Sequence, residues 1–392
     1  MQPRAEMPAP SVSEDAKVSD LNQLDWLART ASARRAAGLR RQLRPRPAVS
    51  ALLDLASNDY LGLSRDSRVI DAAAQALRVW GSGSTGSRLV TGTTELHAEL
   101  EVTLAELVGA PAALVFSSGY LANIGAITAL AGPDCLVVSD TGNHASLVDG
   151  CRLAKSRVVV IPHGELTLAE QALTGRPEAR ALIVIDAINS ADGDLSPLRR
   201  WHELARRCGA LLVIDDAHGV GVRGNGRGAV AEAGLAGEPD VVTTVTLSKS
   251  LAAQGGAVLA APAVIEHLID TARTFIFDTG LNPAAAGAAL AAARIILREP
   301  ELANDVLARA AELATSCGVP ATDSAVVPVI VGEAEHAYQL AMALRDKGIL
   351  VGCFRPPSVP SGTARLRITA RATLTDAELR RFRQAMAELS AL

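Results

Sequence analysis

The chain has 392 residues, 49% of them hydrophobic and 20% charged; it is too long for one compact core, so two lobes with ample apolar surface are expected. A formal net charge of −4 excludes a nucleic-acid-binding surface, which needs a basic face, and the basic run at residues 34–46 reads as a solvated helix face. The cysteines, Cys135, Cys151, Cys208, Cys317 and Cys353, are odd in number, scattered and free of Cys-x-x-Cys pairs, a pattern of reduced thiols in a cytoplasmic protein with no disulfide framework and no metal site.

In chain order, residues 1–20 are polar, carry no apolar signal-peptide core and are expected to be disordered. The spacing of Leu24, Leu27, Ala31 and Arg35 predicts an amphipathic helix within residues 21–43. Together these segments form an N-terminal arm, 1–50. A strand at 52–56 leads into the polar turn Ser57-Asn58-Asp59-Tyr60-Leu61-Gly62 and a helix over 68–80. The following Gly81-Ser82-Gly83-Ser84-Thr85-Gly86-Ser87-Arg88 is expected to be flexible. It is not a P-loop, because no Gly-Lys-Ser/Thr follows. Its glycines suit either a plain hinge or a close approach of backbone amides to a ligand. Residues 94–109 read as a helix with Thr93 or Thr94 as its cap and Glu95 in the first turn.

The strand expected at 112–116 ends in Ser117-Ser118-Gly119-Tyr120, where a turn into a helix leaves free amides suited to a phosphate. Strands at 135–139 and 157–161 flank His144. A strand at 181–186 leads to Asn189-Ser190-Ala191-Asp192-Gly193-Asp194. A helix over 197–208 returns to strand 210–214, and 241–247 and 256–261 follow. Strands alternating with helices at this pitch give a mostly parallel sheet covered on both faces, assigned to a large α/β domain, 51–290. Pro283 to Ala293 is too short an uncharged stretch to span a bilayer, so no membrane segment is expected. It reads as a small-residue helix packed closely on a neighbour. Beyond it, long helices surround strands near 326–331, 348–353 and 364–369, a smaller C-terminal α+β domain, 291–392.

Two strand ends carry the chemistry. The run at 210–214 stops at Asp215-Asp216-Ala217-His218-Gly219, and the β-branched run at 241–247 stops at Ser248-Lys249-Ser250. A lysine at a strand end is ordinarily a solvated residue, and the acidic turn alone could be a helix cap or half of a metal site. The combination is more specific. Lys249 trails Asp215 by 34 residues, about one strand-to-strand repeat, and ligands of open α/β sheets bind beyond the strands' carboxyl ends. One crevice would then hold an acid, a histidine and a lysine. Pyridoxal 5′-phosphate (PLP) wants all three, the lysine as Schiff-base partner and the acid to keep the pyridine nitrogen protonated so that the ring acts as an electron sink.

The order of Ser57-Asn58-Asp59-Tyr60-Leu61-Gly62, Ser118-Gly119-Tyr120, His144-Ala145-Ser146-Leu147, Asp215-Asp216-Ala217-His218-Gly219 and Thr246-Leu247-Ser248-Lys249 resembles the α-oxoamine synthases. These are fold-type I PLP enzymes that condense an amino acid with an acyl thioester and release carbon dioxide. The resemblance runs from about Arg34 to the C-terminus. It implies Lys249 as the Schiff-base lysine and α-proton base, and Asp215 as the partner of the pyridinium nitrogen. His218, with Ser190, would contact the phenolic oxygen, and His144 would stack on the ring. Gly119 and Tyr120 would lie near the phosphate, with Thr246 bonded to it. Arg367 would hold the amino-acid carboxylate, and Arg40, Asn58 and Ser358 would complete the substrate site. Arg355-Pro356-Pro357-Ser358-Val359-Pro360 and Gly362-Thr363-Ala364-Arg365-Leu366-Arg367 look most like the branch that joins L-alanine to a pimeloyl thioester, on CoA or acyl carrier protein, in biotin synthesis.

The chain departs from the family's usual pattern at Ser248 and Ser250, where glycine often flanks the lysine, and at Asp186-Ala187-Ile188-Asn189. Rival implications are 5-aminolevulinate synthase, glycine C-acetyltransferase, or a serine-using relative. An inactive scaffold subunit is disfavoured by the presence of Lys249, Asp215 and His218 together. The resemblance also implies a cytoplasmic homodimer with its sites at the interface, to which residues 275–281 could contribute.

Overall fold

The computed structural model describes residues 23–41 and 43–390; the disorder expected for residues 1–20 falls outside them. The chain divides into two units, residues 1–50 and 51–392. In the first, the helix Asp25–Ala36 buries none of its residues. It stops well short of residue 43, and the reason is Gly38. At φ 65° Gly38 adopts the left-handed conformation, and Leu39 N–H and Gly38 N–H bond back to the carbonyls of Arg34 and Arg35 at 2.8 and 3.1 Å. That is a Schellman stop, which the apolar spacing gives no sign of.

In the second unit the strands are β1 (Leu53–Leu55), β2 (Ala112–Phe116), β3 (Cys135–Asp140), β4 (Arg157–Ile161), β5 (Arg180–Asp186), β6 (Leu211–Asp215), β7 (Val241–Thr246), β8 (Gly256–Ala260), β9 (Val326–Gly332), β10 (Ile349–Phe354) and β11 (Ala364–Thr369). Seven form one sheet in the order β2-β8-β7-β6-β5-β3-β4, parallel throughout except for β8. Residues of β3, β7 and β8 are buried along their whole length, as near-continuous apolar runs require when helices cover both faces. This is the α/β architecture of fold-type I.

A second sheet has the order β1-β10-β11-β9. Here the expected grouping of residue 51 onwards with the large sheet needs correction: β1 runs parallel to β10, with Leu53 opposite Ile349 and Leu55 opposite Val351. The reason is burial. Leu53 and Leu55 join Ile349, Val351 and Leu366 in the same apolar core, which three residues could not supply alone. The chain thus enters the unit through the sheet that its C-terminal third builds.

The small-residue helix is Pro283–Arg298, and it packs on Ser67–Trp80 and Glu95–Val108. A Cβ on Gly287 would come within 2.8 Å of Ala76 Cβ and 2.9 Å of Ala72 O, so the close approach depends on glycine. Thr94, not Thr93, caps Glu95–Val108, in a capping box with His97. The 81–88 loop is tied to distant segments of the unit. Ser84 Oγ donates to Leu281 O at 2.6 Å, and the buried Arg88 guanidinium reaches Val115 O at 3.1 Å and Glu101 Oε1 at 2.9 Å. No helix among the described residues is long and apolar enough to cross a membrane.

The Arg88–Glu101 pair has side chains only 5% and 17% exposed. Removing the cation strands a carboxylate whose burial already raises its pKa. Arg88→Leu is expected to lower unfolding free energy by about 3–5 kcal/mol, read from denaturant midpoints; a loss below about 1 kcal/mol shows that the pair behaves as a surface ion pair.

Candidate active site

The parallel strands β5, β6 and β7 end side by side, with Asp186 in register with Asp215 and Asp215 in register with Thr244. Side chains alternate across a strand, so of the acidic pair only Asp215 faces the crevice. Asp216 points the other way and is fully buried; it accepts Val230 N–H at 3.1 Å, and burial pushes its carboxyl up to about 7.

The crevice has two chambers. The inner one, about 250 Å³, is lined by Ser118, Gly119, Tyr120, Asn123, His144, Asp186, Ser190, Asp215, His218, Thr246 and Lys249, among others. On its floor Asp215 Oδ2 accepts from Asn123 Nδ2 at 2.7 Å and Oδ1 from Ala217 N–H at 2.9 Å. Asn123 is itself fixed, donating to Ser146 Oγ at 2.8 Å and accepting from Thr244 Oγ1. Beside it, Asp186 Oδ2 accepts the His144 amide at 2.9 Å. Burial, reinforced by the Asp215 charge, raises the Asp186 carboxyl well above the usual range. The His144 ring is oriented by Ser146, with Nδ1 to Oγ at 2.7 Å.

The opposite end is built for an anion. Ser118 Oγ caps Gly119–Leu130 through Leu121 N–H at 3.1 Å, which leaves the Gly119 and Tyr120 amides without partners among the described residues. Thr246 Oγ1 and Ser248 Oγ lie 2.6 Å apart next to them. Backbones meet closely here: a Cβ on Gly256 would fall 2.4 Å from Gly119 Cα. The Tyr120 hydroxyl turns to Asp149. An anion seat, a carboxylate at the far end and an amine in the wall form the donor set that PLP requires.

The outer chamber is about 1010 Å³ and includes Asn58, Arg152, His163, Phe354, Ser358, Arg365 and Arg367 in its walls. It meets the inner one at His144, Ser190, His218 and Lys249. A chain of hydrogen bonds runs across the junction. Tyr60 Oη donates its one proton to Asn58 Oδ1 at 3.2 Å, so His218 Nδ1–H donates to Tyr60 at 2.7 Å. Nε2 is then left to accept from Lys249 Nζ at 2.9 Å. Burial, with the Lys249 and Arg367 charges, drives the His218 imidazole well below its ordinary pKa. Burial likewise pulls the Lys249 ammonium down to about 8, against the opposing pull of Asp215.

Arg367 closes the chain: its guanidinium reaches Ser190 O at 2.6 Å, Asn58 Oδ1 at 2.9 Å and Tyr60 Oη at 3.4 Å. It is only 4% exposed, and its ring neighbour is Phe354, 5.4 Å from the guanidinium carbon. Neighbouring Arg365 is ion-paired with Asp192, whereas Arg367 has no acidic partner among the described residues. Ser358 is exposed on the outer rim. Arg40 is exposed in the extended stretch that follows Asp25–Ala36.

Sequence reasoning left Tyr60 and Asn123 without a role. Tyr60 is fully buried, yet it sits in a polar turn. An aromatic residue there and a lone asparagine in the apolar helix Gly119–Leu130 are the signals that could have found them.

The family model described as aminotransferase class I and II matches residues 50–386. A protein of Mycolicibacterium vanbaalenii named 8-amino-7-oxononanoate synthase is 59% identical over 94% of this chain and 98% of its own. One of the same name from Mycobacterium bovis is 57% identical over 96% and 98%. A solved structure of SPT with PLP superposes with a TM-score of 0.87 at 29% identity, covering 95% of this chain and all of that one.

Lys249 is one of four lysines in the chain. Amine-directed labelling of the cofactor-free protein, resolved by mass spectrometry, is expected to switch on at Lys249 as pH rises through about 8 rather than the ordinary ~10.4. A midpoint at the ordinary value means the amine is not desolvated in this junction.

Proposed function

The chain belongs to the 8-amino-7-oxononanoate synthases of the aminotransferase class I and II family, and we propose that it joins L-alanine to a pimeloyl thioester. The products are 8-amino-7-oxononanoate, carbon dioxide and the free thiol carrier, in biotin biosynthesis. The carrying observation is the buried, acid-free guanidinium of Arg367, linked through Tyr60 and His218 to the Lys249 amine. A buried cation without a counter-ion is costly, and the amino-acid carboxylate is the anion that relieves it through a forked pair of hydrogen bonds.

Bound in the inner chamber, PLP supplies an electron sink that stabilises negative charge at the amino acid's α-carbon. Lys249 is the residue that would hold it covalently, and its Nζ is the base placed to take the α-proton. An amine whose pKa is pulled down to about 8 holds far more free base near neutral pH than an ordinary lysine. His218 Nε2, kept neutral, accepts the amine's hydrogen bond and orients its lone pair without competing for the proton. With PLP bound, Asp215, fixed by Asn123, would keep the pyridine nitrogen protonated. His144 would lie against the ring, His218 and Ser190 would contact the phenolic oxygen, and Gly119, Tyr120 and Thr246 would hold the phosphate. Arg367 keeps the substrate carboxylate in place until it leaves as carbon dioxide. The outer chamber takes the pimeloyl chain, with Asn58 and Ser358 contacting substrate. Its carrier is CoA or acyl carrier protein.

The working form is a cytoplasmic homodimer. Leu89, Val90 and Phe277 are 52, 79 and 70% exposed on segments tied to each other by the Ser87–Thr279 bridge and to the anion seat by the Ser117–Asp278 hydrogen bond. A second copy covering them would close the cofactor's phosphate end.

Lys249→Ala is expected to cut turnover by at least about 10³-fold and to remove the visible absorbance of lysine-bound PLP; retained turnover would falsify the lysine's role. Carbon dioxide release with pimeloyl-CoA should be fastest with L-alanine among a panel of amino acids, and a preference for glycine sinks the substrate assignment. Phe277→Asp should shift the native dimer toward monomer in light scattering, and a monomeric parent protein defeats the dimer reading.

A further inference from the structure

The outer chamber contains a charged clamp that the reaction does not consume. His163, just after β4, stands between two carboxylates from different parts of the sheet edge. Its Nδ1 lies 2.9 Å from Asp140 Oδ1 at the end of β3, and its Nε2 lies 2.8 Å from Asp194 Oδ2. A neutral imidazole has one N–H, so two carboxylate acceptors require both nitrogens to be protonated. Asp194 closes the turn that follows β5: Asn189 N–H bonds to Asp194 O at 3.0 Å, and Gly193 N–H to Asn189 O at 2.9 Å. The tip of this turn is Ser190, whose carbonyl receives Arg367 Nε, and Asp192, which pairs with Arg365.

We propose that protonated His163 is a positioning residue for amino-acid binding. By tying Asp194 to Asp140 it fixes the turn at residues 189–194, and through the Ser190 carbonyl it sets the aim of Arg367. The inference rests on the reading of Arg367 as the carboxylate holder.

The groups around the ring agree on its charge. Asp140 and Asp194 flank it, and their hydrogen bonds raise the imidazole to about 10; of the cations in the same chamber, Arg365 is paired with Asp192 and Arg152 with Asp149. The imidazole is 43% exposed, so its contribution to overall stability is that of a surface pair, small and salt-sensitive. Asp140 is different: it is 5% exposed and also accepts Gly142 N–H at 2.6 Å and Gly164 N–H at 2.8 Å. A variant at position 163 therefore leaves Asp140 hydrogen-bonded and the fold intact, while Asp194 loses its donor. The clamp acts locally on where the turn sits, and tight orientation is what a bidentate carboxylate site needs.

The test uses the PLP-loaded protein. L-Alanine affinity is read from the change in cofactor absorbance on titration, beside KM and kcat, for the parent, His163→Gln, Asp194→Asn, the double variant and Arg367→Lys. His163→Gln is expected to weaken L-alanine binding about tenfold, with the KM effect exceeding the kcat effect and the melting temperature nearly unchanged. The double variant should match the single ones, because both remove the same contact. Long-range ¹H–¹⁵N spectra should show both His163 nitrogens protonated at pH 8.5. Unchanged L-alanine affinity in His163→Gln, additive losses in the double variant, or a neutral His163 ring overturns the clamp. If Arg367→Lys leaves L-alanine affinity unchanged, the reading of Arg367 fails instead; if that variant weakens binding while His163→Gln does not, only the clamp fails.

Discussion

The site depends on a histidine that cannot afford a charge. His218 lies between the Lys249 amine and the Arg367 guanidinium, is 8% exposed, and hydrogen-bonds to Lys249 on one side and Tyr60 on the other. Protonating it would place a third positive charge in a low-dielectric junction, where repulsion between neighbours is strongest. Its neutrality makes the hydrogen-bond direction across the junction one-way. That direction leaves Nε2 as an acceptor that orients the Lys249 amine. Burial lowers that amine's pKa and the Arg367 charge adds to the lowering, against the pull of Asp215 and Asp186.

The same economy of charge explains the rest of the crevice. Positive groups collect at the outer side and acids line the floor, where Asp186 and Asp215 end adjacent strands in register. Two carboxylates so close do not both ionise freely, and the Asp186 carboxyl is the one raised. Burial, then the Asp215 charge, raises it, while Asp215 has Asn123 and a backbone amide donating to it. At the far end the free amides that open Gly119–Leu130 and the hydroxyls of Thr246 and Ser248 offer donors suited to an anion.

Two sheets cooperate to build this. The large parallel sheet delivers Asp186, Asp215, Thr246 and Lys249 to one edge, as open α/β sheets do at the carboxyl ends of their strands. Arg367 arrives on β11 of the second sheet, and Asn58 and Tyr60 arrive through the turn after β1, which that sheet also holds. Residues more than three hundred positions apart in sequence meet because the first strand of the unit completes the last sheet. The turn at 189–194 bridges the two, bonded to Arg365 and Arg367 on one side and to His163 on the other.

The sequence by itself determined the local chemistry: apolar β-branched runs make buried parallel strands, and the polar residues that end them make strand-end loops. Lys249, Asp215, His218 and Gly119 were singled out for that reason, each lying within a few residues of a strand or helix boundary, whereas His144 and Thr246 came from the family resemblance. Only the tertiary structure decided what those boundaries meet. Gly38 ends its helix by a backbone conformation that hydrophobic spacing does not encode. The 81–88 loop is fastened by Arg88 to partners remote in sequence, and a three-residue strand has too little pattern to announce its partner. Tyr60, Asn123 and His163 gained their roles from groups brought to them by packing: a hydrogen bond or a buried charge is a property of a pair, and the pairing is fixed by the fold.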